Sequence, residues 1–167
     1  AAISIWRRAI KGRAIEVPLN PALVGAVLRH ALATTEAEVV LVDPEFAPRL
    51  DAIERPTTVR LVTTLPELDA TMPIEVDLPG PRYRDIHAVM LTSGTTGPSK
   101  GVFVPWATVY QFWSWVPDDA VGEGSVFYGP LAMAHNSGRS SFNYAMSRRA
   151  TYVVKERFSA TDFWSDV

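Results

Sequence analysis

Leu91-Thr-Ser-Gly-Thr-Thr-Gly-Pro-Ser-Lys-Gly-Val102 joins two short apolar runs, residues 86–91 and 101–104, that both read as β-strands. The polar stretch between them carries Gly94, Gly97 and Gly101, which permit positive φ and let the backbone approach a ligand without a Cβ clash. Hydroxyls at Thr92, Ser93, Thr95, Thr96 and Ser99, with successive N–H groups, can surround an anion as a backbone nest does. Lys100 adds a point charge on a flexible stem, which suits a phosphate oxygen. The ligand class these residues fit is a polyphosphate. The spacing is not that of a Walker A loop, which has four residues between its glycines and then Lys and Ser or Thr entering a helix. Here two residues separate Gly94 from Gly97, and a strand follows. By composition alone, an ordinary solvated turn with an exposed lysine explains the same residues.

Outward from this loop the chain alternates helix and strand. Ile3, Trp6 and Ile10 share one face of an N-terminal helix, with Gly12 placed as its C-terminal cap. Asn20-Pro21 reads as a helix start, Asn capping free N–H groups and Pro taking the first helical position. Leu23, Val27, Leu28, Ala31 and Leu32 then recur at helical spacing. Residues 39–42 suit a buried parallel strand, 45–53 a short helix and 59–62 the next strand, an order that favours a right-handed βαβ unit. Residues 65–84 hold Pro66, Pro73, Pro79 and Pro81 and read as an irregular connection. Beyond the loop a helix is expected over 105–115, a strand over 125–128, a helix over 140–147 and a strand over 151–154. Ser159-Ala-Thr-Asp162 reads as a capping box for a last helix. The expected fold class is α/β, a mostly parallel sheet flanked by helices with the polar loop at a strand end. Its expected parts are a βαβ-like lobe at 1–64, a Pro-rich connection at 65–84 and a phosphate-loop lobe at 85–167.

Composition narrows the function. The 167 residues are 47% hydrophobic and 20% charged, a globular balance. Sixteen basic residues against eighteen acidic ones leave a charge of −2, so no bulk positive field points to nucleic acid. Trp6, Arg7, Arg8, Lys11 and Arg13 form a basic and aromatic cluster that reads as a solvated helix face. The absence of cysteine excludes a disulfide framework, a Cys-ligated zinc, an iron–sulfur cluster and a thiolate nucleophile. His30, His87 and His135 lie far apart, so no metal site is expected; His30 on the polar side of its helix and His87 within a strand read as structural. No stretch approaches the roughly 18 apolar residues of a bilayer span, and the expected compartment is the cytoplasm. The chain opens inside a helix without Met and stops as another helix begins, which reads as a piece of a longer protein.

The full string from Leu91 to Val102 resembles the signature loop of the adenylate-forming (AMP-binding) superfamily, which includes acyl-CoA synthetases, luciferases and the adenylation domains of peptide synthetases. Gly12-Arg-Ala-Ile-Glu-Val-Pro-Leu-Asn-Pro21, Asp43-Pro-Glu-Phe-Ala-Pro-Arg-Leu50 and Arg157-Phe-Ser-Ala-Thr-Asp-Phe-Trp164 look like segments of its acyl-CoA ligase branch, nearest the carnitine/crotonobetaine type. The resemblance covers nearly the whole chain, but only part of that family's large N-terminal domain. It implies ATP, Mg2+ and coenzyme A as cofactors and a small carboxylic acid as substrate. It also implies that Thr92, Ser93, Gly94, Thr95, Thr96, Gly97 and Lys100 hold the β- and γ-phosphates of ATP.

A second landmark of the family, Pro-Leu, an aromatic and His, is met only at its tail by Pro130-Leu-Ala-Met-Ala-His135-Asn-Ser-Gly-Arg-Ser140, with two residues added before His135 and no aromatic. The resemblance puts His135 at the passage between acyl pocket and nucleotide; a hydrogen-bonded structural histidine is the other reading. Leu131, Met133, Phe142 and Tyr144 suit either an acyl pocket or ordinary core packing. Pro105-Trp106 stands where many relatives carry a histidine.

The family's adenine- and magnesium-binding Tyr-Gly-x-Thr-Glu string, its Thr-Gly-Asp motif and its C-terminal domain with the catalytic lysine are not found in these residues. Only Lys11, Lys100 and Lys155 exist, so no catalytic residue is assigned. The expectation is an ATP-dependent acid–CoA ligase of the fatty-acid-metabolism kind, present as a piece that is inactive alone and lacks the remainder of its own enzyme. The alternative is a non-catalytic remnant or interaction module that keeps the fold and weak phosphate binding. A peptide-synthetase adenylation domain is a third reading.

Overall fold

The computed structural model describes residues 2–10, 14–56, 59–71, 79–92, 97–111, 113–155 and 158–167, which group into two units, Ala1–Pro105 and Trp106–Val167.

In the first unit, helix α1 spans Ala2–Ile10 and helix α2 spans Gly25–Thr35. The helix expected from Pro21 starts four residues later. Asn20 Oδ1 accepts the Ala22 N–H at 2.9 Å, closing a turn, and Gly25 then takes φ +54°, so helical dihedrals do not run through from Pro21. Leu28, Ala31 and Leu32 of α2 are buried, while Val27 is exposed. Strand β1 (Val39–Leu41) pairs in parallel with β2 (Arg60–Val62), and α3 (Ala47–Asp51) crosses between them, so the expected βαβ unit is present. Leu28, Leu32 and Leu50 form its core, with Leu23, Val40, Val42 and Leu61 against them.

Two expectations are corrected here. The first turn of the supposed irregular connection is a helix, α4 (Leu65–Thr71). Thr64 Oγ1 accepts the Glu67 N–H at 3.3 Å and Glu67 Oε2 accepts the Thr63 N–H at 3.0 Å, a reciprocal cap that tolerates Pro66 within the first turn. Arg8, expected on a solvated face, is 1% exposed and ion-paired to Asp69 of α4. A partner of opposite charge is what allows a guanidinium to leave water. Lys11 and Arg13 lie outside the described residues.

Strand β3 (Ile86–Leu91) pairs with β4 (Gly101–Pro105) in antiparallel register, as a direct return of the chain requires. The register shifts between Ile86 and Ala88, so His87 sits at a bulge and turns inward. Glu16 bridges to Ala88 in parallel, accepting the Val89 N–H at 2.8 Å. Ala88, Val89 and Met90 are buried, which makes β3 the firm side of the hairpin.

The second unit holds α5 (Trp106–Gln111), β5 (Val126–Gly129), α6 (Asn136–Ser147), β6 (Thr151–Val154) and α7 (Phe163–Asp166). β5 and β6 run parallel with α6 as their crossover, a second βαβ unit. The helix expected from 105 begins after Pro105, which is held in β4 against Ile86. α6 begins at Asn136, four residues before its expected start, because Gly138 lets the first turn lie on the preceding backbone. A Cβ there would meet Ala132 O at 2.3 Å. Gly129 likewise leaves room for the Tyr152 ring, to which a Cβ would come within 2.1 Å. The core is aromatic: Trp113 stacks on Tyr144 at 5.1 Å, Phe127 on Tyr152 at 6.0 Å, and Phe142 meets Tyr152 edge-on at 5.5 Å. Tyr128 and Lys155 both bind the Asp166 carboxylate, at 3.1 and 2.7 Å, and so hold α7 to the strand ends.

Candidate functional site: the polar loop of the β3–β4 hairpin

The last register pair of the hairpin is Leu91 with Gly101. Beyond it the Thr92 N–H donates to Lys100 O at 3.0 Å, and the Lys100 N–H donates to Thr92 Oγ1 at 3.0 Å. Thr92 therefore closes the base of the loop with both its backbone and its hydroxyl. Gly101 sits so close to the hairpin's inner side that a Cβ would meet Val89 Cγ1 at 3.0 Å. The Lys100 side chain is exposed. Thr92 and Lys100 thus meet at the loop mouth, while Ser93, Gly94, Thr95 and Thr96 lie outside the described residues. Ser99, counted in the sequence among the loop hydroxyls, contributes its carbonyl: His30 Nε2 donates to Ser99 O at 2.8 Å. His30, read from the sequence as structural on a polar helix face, touches the loop itself, and no local pattern could have announced a contact across 69 residues.

Below the loop, His87 is 2% exposed, and burial lowers its pKa from the usual 6.5 to about 4. Glu16 Oε1 faces its Nε2 at 3.9 Å. His87 is neutral near pH 7 and belongs to the support of the strand.

His135 lies in the second unit, exposed at the N-cap of α6, where its carbonyl accepts the Arg139 N–H at 3.0 Å. Arg139 below it is 5% exposed, and desolvation lowers its pKa to about 10. Of the residues offered as an acyl-pocket lining, Leu131, Met133, Phe142 and Tyr144, two are buried and one is exposed. Phe142 and Tyr144 are buried among aromatic rings, and Leu131 is exposed. Tyr144 borders an open cleft of about 430 Å³ beside Trp113 and Arg148. Arg148 pairs there with Asp118, which raises the guanidinium pKa further.

Among the described residues, no three His, Asp or Glu side chains gather to hold a metal ion, and no helix is long and apolar enough to cross a membrane.

The sequence profile of the AMP-binding enzymes matches residues 9–167. The chain belongs to the AMP-binding enzyme family. The curated relatives it matches include several acyl-CoA ligases. The long-chain-fatty-acid–CoA ligase FadD13 of Mycobacterium tuberculosis is 30% identical over 169 residues, covering 94% of this chain and 33% of its own length. The crotonobetaine/carnitine–CoA ligase of Escherichia fergusonii is 25% identical over 187 residues, covering 99% and 35%. The inhibitor-bound crystal structure of the N-terminal domain of FACL13 from Mycobacterium tuberculosis superposes with a TM-score of 0.76 at 27% identity, over 94% of this chain and 42% of that one. The α/β fold is thus that of part of the N-terminal domain of an AMP-binding enzyme. The chain spans about a third or less of the length of the curated relatives it matches.

Proposed function

We propose that these residues are the ATP-phosphate-binding part of an ATP-dependent carboxylic acid–CoA ligase. The observation that carries the reading is the hairpin mouth, where an exposed lysine rises from a backbone clamped on both sides by Thr92. Membership in the AMP-binding enzymes supplies the chemistry. In the first half-reaction a carboxylate oxygen attacks the α-phosphorus of ATP. The new P–O bond forms, the bond to the bridging oxygen breaks, and pyrophosphate leaves with that electron pair. Thr92, Ser93, Gly94, Thr95, Thr96, Gly97 and Lys100 hold the β- and γ-phosphates, so they carry the charge that grows on the leaving group. Mg2+ enters as part of the MgATP substrate. In the second half-reaction the sulfur of coenzyme A attacks the acyl carbonyl, loses its proton, and displaces AMP to give the thioester. His135, exposed at the start of α6, is assigned to the passage between acyl group and nucleotide.

The test is binding of a fluorescent ATP analogue with Mg2+ to this chain and to Lys100→Ala. We expect saturable binding that weakens at least about tenfold in the variant, since charge-assisted contacts to phosphate are among the stronger hydrogen bonds. Equal binding by both, or none by either, overturns the reading. ATP–pyrophosphate exchange with a panel of carboxylic acids is expected to show no turnover by these residues alone; robust exchange overturns that part.

A further inference from the structure

The peptide group between Ser99 and Lys100 is held at both ends. Its carbonyl accepts the His30 Nε2–H at 2.8 Å, and its N–H donates to Thr92 Oγ1 at 3.0 Å. One turn further along α2, Thr34 lies against the next residue, its Cγ2 within 3.8 Å of where a Gly101 Cβ would sit. The hydroxyl of Thr34 is also 3.3 Å from the same His30 nitrogen, so the ring is steered from its own helix. Two side chains four residues apart on one face of α2 thus back the outgoing arm of the loop, on either side of Lys100.

The peptide plane before a lysine helps set the direction of its Cα–Cβ bond, and so the region its flexible side chain sweeps. We propose that His30 is a positioning residue for Lys100: by holding the Ser99 carbonyl it orients the preceding peptide plane and so aims the ammonium at the polyphosphate. The claim rests on the ATP reading above and adds a residue to it. His30 does not touch the ligand; it acts through Lys100.

The experiment compares the affinity of this chain for the fluorescent MgATP analogue across His30→Ala, His30→Phe, His30→Gln, Lys100→Ala and the double variant His30→Ala/Lys100→Ala. Loss of one hydrogen bond that orients the loop is expected to weaken binding about fivefold in His30→Ala and His30→Phe. Gln restores an N–H donor near the position of Nε2, so His30→Gln is expected to bind as the parent chain does. In the Lys100→Ala background the His30 change is expected to cost nothing more, because its effect passes through that lysine. His30→Phe keeps the ring volume on α2 and serves where the alanine variant unfolds. Unchanged affinity in His30→Phe, or losses that add in the double variant, overturn the positioning role while leaving the ATP reading intact. Binding that is absent, or indifferent to Lys100→Ala, overturns the ATP reading, and the role of His30 falls with it.

Discussion

In the β3–β4 hairpin the restraints at the loop fall mostly on backbone groups: Thr92 N–H, Lys100 N–H and C=O, and Ser99 C=O are tied, the Thr92 hydroxyl serves as an acceptor, and the Lys100 side chain is left exposed. In the β5–α6–β6 unit the side chains are themselves the restraint. Phe127, Phe142, Tyr144 and Tyr152 are locked ring against ring. The first arrangement spends little stability on the residues that would meet a ligand. The second depends on volume and shape, and leaves few positions where a side chain can change without loss.

That contrast can be broken from either side. The largest expected effect is in the aromatic unit. Phe142→Ala should lower the unfolding free energy by about 3–5 kcal/mol, read from urea denaturation, because a buried ring is replaced by a cavity. A loss within experimental scatter would mean that the rings do not hold this unit. Next comes His87, a titratable side chain buried beneath the hairpin and facing Glu16. His87 is held at about 4, below its usual 6.5, so the unfolded chain takes up the proton first as pH falls. Stability should be insensitive to this group above pH 6.5 and decline as pH falls from there to about 4, by no more than about 3 kcal/mol. In His87→Leu the decline over that window should shrink, by urea midpoints at pH 7 and 4.5. An unchanged pH dependence would show that Glu16 and its surroundings accept the charged ring.

Lys100→Ala sharpens the comparison. It should cost about tenfold in MgATP affinity while the thermal midpoint stays within that of a neutral surface change, about 0.5 kcal/mol. A melting shift as large as that of Phe142→Ala would erase the distinction between the two regions. The smallest expected effect is Thr64→Ala, which removes one half of the α4 cap and should destabilise by about 1 kcal/mol, read by the same denaturation.

Much of the fold was legible because its signals are local. The apolar runs of β3 and β6 are bounded by polar residues, and both strands have the extents expected of them. Where local signals competed, reading failed. Asn20-Pro21 has the chemistry of a helix cap and also that of a turn, and the backbone of Gly25 settled it as a turn. Pro66 looked like a breaker, but Thr64 and Glu67 cap a helix around it.

The kinds of residues in the polar loop, and the strands on either side, follow from the order of amino acids, because glycine, hydroxyl and lysine act over a few neighbouring positions. The burial of Arg8 against Asp69 and the hold of His30 on Ser99 do not. Each joins groups whose meeting depends on how whole elements pack, and a contact spanning 61 or 69 residues leaves no periodic trace along the chain.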